Sequence, residues 1–226
     1  HNNYSIITDN GQNLFDPGKK PAENIRFLTF ISAFIRAVDE YPVLLRLSAS
    51  CCGNDHRLGA DEAPPAIISI YLGPYIPHDN ADRNRTSPVA FTGNKFEFRM
   101  LGSSMSASFT NTVLNTIMAE SLNDIADQLE GIKYLADIRE KALDICRQLI
   151  HEHKRILFSG DGYSKEWEKE AARRGLPNVS SYIEATEILK DPKVIHLFTS
   201  NGVYSEKELH ANRLIMAEQY DRMMDI

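Results

Sequence analysis

Cysteine is scarce in this sequence, positive charge is not in excess, and no long hydrophobic run goes uninterrupted. The three cysteines, Cys51, Cys52 and Cys146, have no metal-ligand spacing, and their odd number argues against a disulfide framework. The formal net charge of −6, without a basic run, gives no reason to expect nucleic acid as a partner. The most apolar stretch, around residues 27–38, contains Arg36 and is too short to span a bilayer. We therefore expect a protein of the reducing cytoplasm that has no membrane segment.

The composition is otherwise that of a globular protein with a core. The 226 residues, of which 42% are hydrophobic and 25% charged, are enough for one large domain or two small ones. The chain starts at His1 rather than at methionine, so we expect it to be a piece of a longer protein.

The segment 94–101 alternates strictly between charged or polar and apolar positions. Successive side chains of an extended strand point to opposite faces, so one face is built for burial and the other carries three charges. Two interpretations are open: an antiparallel strand with a solvated face, or a sheet face that holds a metal-bound anion. The two faces consist of Lys95, Glu97 and Arg99, and of Phe96, Phe98 and Met100.

Helical periodicity and β-forming clusters predict the remaining elements. Pro42 ends the first predicted helix, and Gly131 separates two long helices that we expect to form an αα-hairpin. Residues 51–65 are rich in turn residues and charge without any period, and loops of this length are usually functional or disordered. The predicted helices cover residues 21–40, 113–129, 135–149, 164–174, 182–190 and 205–226, and the predicted strands cover 1–8, 66–72 and 94–101.

Arginine outnumbers lysine in the first 105 residues, which points to an anionic ligand. The guanidinium group is a planar fork that matches carboxylate and phosphate. The arginines in predicted loops or at strand ends are Arg57, Arg83, Arg85 and Arg99.

Three stretches together carry a more specific pattern: HNNYS at residues 1–5, GNDHRLGADEAPP at 53–65, and the span 82–99 that begins DRNRTSP and ends GNKFEFR. In order, spacing and content they resemble the catalytic domain of glutamine synthetase, in its long type III branch. The resemblance covers essentially the whole chain and implies an α+β fold, with a curved antiparallel sheet, helices outside it and a helical C-terminal extension. Residues 1–105 would then be the active-site sheet part of the catalytic domain, and residues 106–226 its helical C-terminal part.

The resemblance implies an ATP-dependent ligase. Glutamate is activated as γ-glutamyl phosphate, ammonia displaces the phosphate, and two or three Mg²⁺ or Mn²⁺ ions assist. The implied assembly is a cytoplasmic homo-oligomer, a double-ring dodecamer. Two alternatives stay open: a γ-glutamyl ligase that acts on another amine, and a family member without catalysis that has a structural or regulatory role.

The resemblance also assigns roles residue by residue. His1 and Glu97 are implied metal ligands. Asn3, Ser5 and Lys95 are implied nucleotide contacts. Arg57 and Arg99 bind the substrate, Arg85 faces the transferred phosphate, and Glu62 is a flap residue that contacts substrate and takes a proton from ammonium.

Two features depart from the family pattern. Cys51 and Cys52 stand where the family has smaller residues, and Asp61 stands where it has asparagine. The remaining metal carboxylates and a β-grasp domain are expected before His1. We therefore expect these 226 residues to be inactive by themselves.

Overall fold

The structure is a computed structural model that describes residues 1–59, 63–73, 87–102 and 105–224. It is mixed α+β and mostly helical. The strands are β1 (Asn2–Tyr4), β2 (Ile70–Tyr71), β3 (Val89–Phe91) and β4 (Phe96–Phe98). The helices are α1 (Ile25–Glu40), α2 (Pro42–Ser48), α3 (Ser108–Leu129), α4 (Leu135–His153), α5 (Lys165–Arg173), α6 (Tyr182–Thr186), α7 (Pro192–Ser200) and α8 (Glu206–Met224). Within the described residues, short 3₁₀ helices cover Pro21–Glu23, Cys52–Arg57, Lys154–Ile156 and Glu187–Lys190.

The chain divides into two compact units that are not consecutive in sequence. Unit 1 comprises His1–Glu40, Ser69–Arg99 and Met118–Gly160, and unit 2 comprises Tyr41–Ile68, Met100–Ile117 and Asp161–Ile226. Both units draw on residues from either side of position 105. The predicted division of the catalytic domain at that position stays a prediction.

Unit 1 contains a four-stranded sheet with the order β1-β4-β3-β2. The β1–β4 and β4–β3 pairs are antiparallel, whereas β2 and β3 run parallel. The prediction of a wholly antiparallel sheet is therefore wrong at this pair. Parallel strands need a long crossover connection, and residues 72–88 between the two strands are long enough to provide one.

The apolar face of β4 packs into an aromatic core. Phe96 and Phe98 are 1% and 3% exposed, which confirms their predicted burial, whereas Met100, predicted on the same face, is only half-buried. The ring of Phe34 from α1 stacks on Phe96 with centroids 3.8 Å apart, and Phe15 meets Phe96 edge-on at 5.2 Å. Burying each such ring contributes about 2–3 kcal/mol, so this cluster fixes which face of the strand turns inward. The strand itself is shorter than predicted, since it ends at Phe98.

The long helices form where periodicity predicts them, and α4 has a packing partner that the periodicity does not predict. In unit 1, α4 packs on α1 along the face that carries Ala142, Ile145 and Leu149. The predicted αα-hairpin of α3 and α4 stays a prediction, and the structure adds the packing of α4 on α1. Residues 130–134 separate α3 from α4, and Gly131 in this turn has a positive φ of 79°.

Two short helices of unit 2 begin with proline, and the periodicity does not predict them. Pro42 starts α2 and Pro192 starts α7. Proline suits the first helical turn, because its missing N–H would have no intrahelical partner there. Asp191 caps α7 by accepting from the Lys193 N–H at 2.8 Å. None of the helices that the structure describes is both long and apolar enough to cross a membrane.

Candidate active site

The pairing register of the sheet places Glu97 in the middle of its charged face. Glu97 lies opposite Asn3 of β1 on one side and opposite Ala90 of β3 on the other, and Ala90 in turn pairs with Tyr71 of β2. Residues opposite one another in register share a face of the sheet. A row of four side chains thus crosses the sheet, and Glu97 is its only charged member.

Glu97 interacts with two neighbouring side chains of unit 1. Arg99 donates to Glu97 Oε2 from Nε at 3.2 Å and from Nη2 at 2.9 Å. His1 Nδ1 lies 3.9 Å from the same oxygen. The side chains of Glu97 and Arg99 are 12% and 10% exposed, so their interaction is weakly screened by water, whereas His1 is 58% exposed.

The His1–Glu97 geometry fits part of a divalent-metal site. Two ligand atoms of an octahedral ion with bonds of about 2.1 Å lie about 3 Å apart when adjacent and about 4 Å apart when opposite, and the observed 3.9 Å falls between these values. One carboxylate and one imidazole suit Mn²⁺ better than Mg²⁺. Among the described residues no group of three or more His, Cys, Asp or Glu side chains could hold a metal ion, so this pair is an incomplete ligand set.

Three polar residues of the first stretch alternate through β1 and the positions that flank it. His1, Asn3 and Ser5 are all exposed, whereas Tyr4 between them is buried. Side chains two residues apart in a strand share a face, so these three belong to the Glu97 side of the sheet. The pairs Asn3–Glu97 and Tyr4–Phe96 define the register, and its next step would bring Ser5 opposite Lys95.

Lys95 lies at the tip of the β3–β4 hairpin, which is held at two points. The Thr92 N–H donates to the Lys95 main-chain oxygen at 2.9 Å, and Asn13 Nδ2 donates to the Asn94 oxygen at 2.8 Å. Gly93 has a φ of 100°, which a side chain would disfavour. The hairpin tip is thus fixed to the loop that follows β1, and unit 1 brings together His1 and Asn3 with β4 and its tip.

Arg57 belongs to unit 2, where it ends the 3₁₀ helix Cys52–Arg57. The Leu58 N–H that follows donates to the Asp55 oxygen at 3.1 Å. Asp55 also accepts from the main-chain N–H of Tyr182 through Oδ2. The helix that presents Arg57 is therefore tied to the start of α6.

Arg46 holds this region together, and the sequence patterns do not single it out. It is 1% exposed, and it is the one charged residue of the otherwise apolar helix α2. Its guanidinium donates to Val179 O, Ser180 O, Ser50 Oγ and Asp55 Oδ1 at 2.6 to 2.9 Å. The sequence signal for this role was one charged residue among leucines. An apolar helix is buried, and a charge that is buried with it needs bonding partners.

Glu62 and Arg85, which the resemblance places in catalysis, lie outside the described residues, as does Arg83. Of the predicted site residues that are described, His1, Asn3, Ser5, Lys95, Glu97 and Arg99 belong to unit 1, and Arg57 belongs to unit 2.

Comparison with known proteins identifies the class. Residues 141–226 match the family described as the glutamine synthetase C-terminal domain. The whole chain is 42% identical to a protein named type-3 glutamine synthetase from Dictyostelium discoideum, and 39% and 37% identical to glutamine synthetases from Butyrivibrio fibrisolvens and Bacteroides fragilis (strain YCH46). The chain is therefore similar over its whole length to glutamine synthetases, as predicted.

The relatives also bear on the predicted branch and on the extent of the chain. The name of the Dictyostelium relative agrees with the predicted type III branch. Each alignment covers 100% of this chain but only 35% or 36% of the relative, so the chain spans about a third of the length of the curated relatives that it matches.

Proposed function

We propose that the protein to which this chain belongs is a glutamate–ammonia ligase. It uses ATP to activate glutamate as γ-glutamyl phosphate and forms glutamine when ammonia displaces the phosphate. The whole-chain similarity to three proteins named as glutamine synthetases supports this activity. The structural observation that carries the proposal is Glu97, which lies on the charged sheet face beside Arg99 and His1.

The charges of the side chains on this sheet face suggest the role of each residue. Glu97 and His1 would hold one divalent ion, which supplies charge neutralisation for the phosphates of ATP. Asn3, Ser5 and Lys95, at or beside the β1–β4 pair, would contact the nucleotide. Phosphoryl transfer depends mainly on positioning and on neutralising charge, and a sheet with a fixed register is suited to both.

The arginines would bind the anionic groups of glutamate and phosphate. Arg99 presents Nε and Nη2 toward an acceptor, as Glu97 Oε2 demonstrates, and Arg57 would supply a second guanidinium for a substrate carboxylate. Arg85 would face the transferred phosphoryl group. Glu62 would take the proton from ammonium, which an ionised carboxylate can accept, and its loop would exclude water from the acyl phosphate.

The first test measures glutamine formation by the full-length protein with glutamate, ammonia, ATP and Mg²⁺ or Mn²⁺. Glutamine that appears only with all four components supports the ligase. Comparing ammonia with primary amines distinguishes it from a γ-glutamyl ligase for other amines. A full-length protein that binds neither ATP nor methionine sulfoximine would be a non-catalytic family member, and the proposal would be wrong.

The second test separates the metal role from the fold. Glu97→Gln keeps the shape of the side chain but removes its charge. We expect Mn²⁺ affinity, measured by electron paramagnetic resonance, to fall by at least about tenfold. Glu130→Gln, at an exposed carboxylate at the end of α3, is the matched control and should bind Mn²⁺ normally. Unchanged Mn²⁺ binding by Glu97→Gln would remove Glu97 from the ligand set.

The assembly and location implied by the resemblance remain predictions. We propose that the full-length protein is a cytoplasmic homo-oligomer, a double-ring dodecamer, and that this chain supplies the C-terminal part of its curved-sheet catalytic domain with a helical extension. Electron microscopy of the purified protein tests the ring. A stable, active monomer would contradict it.

A further inference from the structure

Besides the bond from the Tyr182 N–H to Asp55, three contacts within unit 2 hold the segment Cys52–Arg57. Arg46 pairs with Asp55 of this segment, and Asn54 Nδ2 donates to the main-chain oxygen of Leu101. The third contact joins Cys52 to Met223 at the end of α8. The first two are polar bonds that oxidants leave alone. The third consists of a thiol and a thioether, so it is the chemically labile one of the three.

Met223 lies directly on the segment. Its Sδ is 3.0 Å from Cys52 Sγ. Its methyl carbon Cε covers Gly53, because a Cβ placed on that glycine would lie only 3.1 Å from it. Met223 is nevertheless 51% exposed. Solvent and small solutes therefore reach one side of the Met223 side chain, while its other side contacts Cys52 and Gly53.

Burial lowers the reactivity of the thiol toward peroxide. Burial, and then the neighbouring Cys51, raise the pKa of Cys52 above its usual value. Peroxide attacks the thiolate rather than the thiol, so such a cysteine reacts more slowly than an ordinary one. A protonated Cys52 also has a hydrogen to direct at the Met223 sulfur. The thioether of Met223, which is 51% exposed, is the target that peroxide reaches from solvent.

We propose that Met223 is an oxidation site whose modification releases the end of α8 from the segment that presents Arg57. The oxidant is hydrogen peroxide. The Met223 sulfur attacks one peroxide oxygen, an S–O bond forms as the O–O bond breaks, and the departing hydroxide takes the proton of the new S–OH group and becomes water. The methionine is oxidised to its sulfoxide and the peroxide is reduced.

The geometry explains why release follows. A separation of 3.0 Å between the two sulfur atoms leaves no room for an added oxygen on that side. The sulfoxide is also polar, so it favours solvent over the surface of Gly53. Cys51 and Cys52 then become more accessible. Any effect on activity rests on the proposed function of Arg57, whereas thiol accessibility does not.

The test treats the intact protein with hydrogen peroxide and follows each methionine by peptide mass spectrometry. Met223 should become sulfoxide well before Met118, which is 2% exposed. The rate at which N-ethylmaleimide labels Cys51 and Cys52 should rise by about tenfold as the segment opens. Methionine sulfoxide reductases should restore the slow rate, because they reverse this modification.

Three variants decide whether Met223 is responsible. Met223→Leu keeps the apolar side chain without sulfur, so its labelling should be slow before and after peroxide. Met223→Gln imitates the polar sulfoxide and should be labelled fast without peroxide. Met216→Leu, elsewhere on α8, should behave like the wild type. A peroxide response that survives in Met223→Leu, or oxidation of Cys52 ahead of Met223, would overturn the proposal.

Discussion

The two units each contain an arginine–carboxylate pair of low exposure, and the pairs serve different ends. Arg46 in unit 2 is 1% exposed and bonds to oxygens up to 134 residues away in sequence. Arg99 in unit 1 is 10% exposed, and its pair with Glu97 joins residues two apart near the end of one strand. A pair that joins distant segments stabilises the tertiary fold. The bond between two residues that are near neighbours in sequence adds less to the tertiary fold, so its charges are the better candidates for binding ligands.

Arg46→Met should cause the largest loss of stability. It leaves Asp55 and two main-chain oxygens without their buried donor, and breaking a buried pair from one side costs about 3–5 kcal/mol. Urea unfolding of the full-length protein, with tryptophan fluorescence as the signal, measures the change. A loss below about 1 kcal/mol would mean that Arg46 does not hold unit 2 together.

Arg99→Met should weaken substrate binding much more than it lowers stability. We expect the free energy of unfolding to fall by only about 1 kcal/mol, because the pair with Glu97 joins residues only two apart in sequence. The KM for glutamate should rise by about 10- to 100-fold, as for a lost hydrogen bond to a charged group. Steady-state kinetics beside urea unfolding gives both numbers. If Arg99→Met destabilises the protein as much as Arg46→Met, the distinction between the two pairs fails.

The ionisation of Tyr182 makes the free energy of unfolding depend on pH near Arg46. Burial foremost raises the pKa of Tyr182 to about 12. Since the unfolded value is 10.0, the folded state holds this proton more tightly, and the resulting stability is complete below pH 10 and lost as pH rises to about 12. Tyr182→Phe removes the ionisable group but keeps the N–H that binds Asp55. Between pH 10 and 12 the wild type should lose about 2 kcal/mol more than this variant.

A third arginine–carboxylate pair should contribute the least to the free energy of unfolding. Arg147 and Asp144 lie three residues apart on α4, and their side chains are 74% and 60% exposed. Replacing Arg147 with glutamine should change the unfolding free energy by less than about 0.5 kcal/mol, because water screens such pairs. The same urea experiment checks it. A loss comparable to that of Arg46→Met would show that exposure and sequence separation do not rank these pairs.

Local patterns predicted what depends on local physics. The alternation of β4 identified its buried face, because Phe96 and Phe98 need a core wherever the strand lies. Periodicity predicted α1 and the long helices for the same reason. Pro42 was interpreted only as a stop, although proline at that position also starts α2.

Longer-range features were beyond the same patterns. The parallel pairing of β2, a strand of two residues, depends on where its crossover returns. The role of Arg46 depends on main-chain oxygens that its own helix does not contain. In the candidate site, Glu97 and its neighbours were predicted through a family resemblance together with strand alternation. Neither source could give the His1–Glu97 distance.

The bonds of Arg46 have a consequence for how the protein is made. Arg46 and Asp55 are synthesised before their partners at Val179, Ser180 and Tyr182, which follow 127 to 134 residues later. At about 5–20 residues per second, a ribosome takes on the order of 10 s to deliver them. During that interval the segment that carries Arg57 lacks these partners. The nascent chain can therefore complete this network only after Tyr182 has been synthesised.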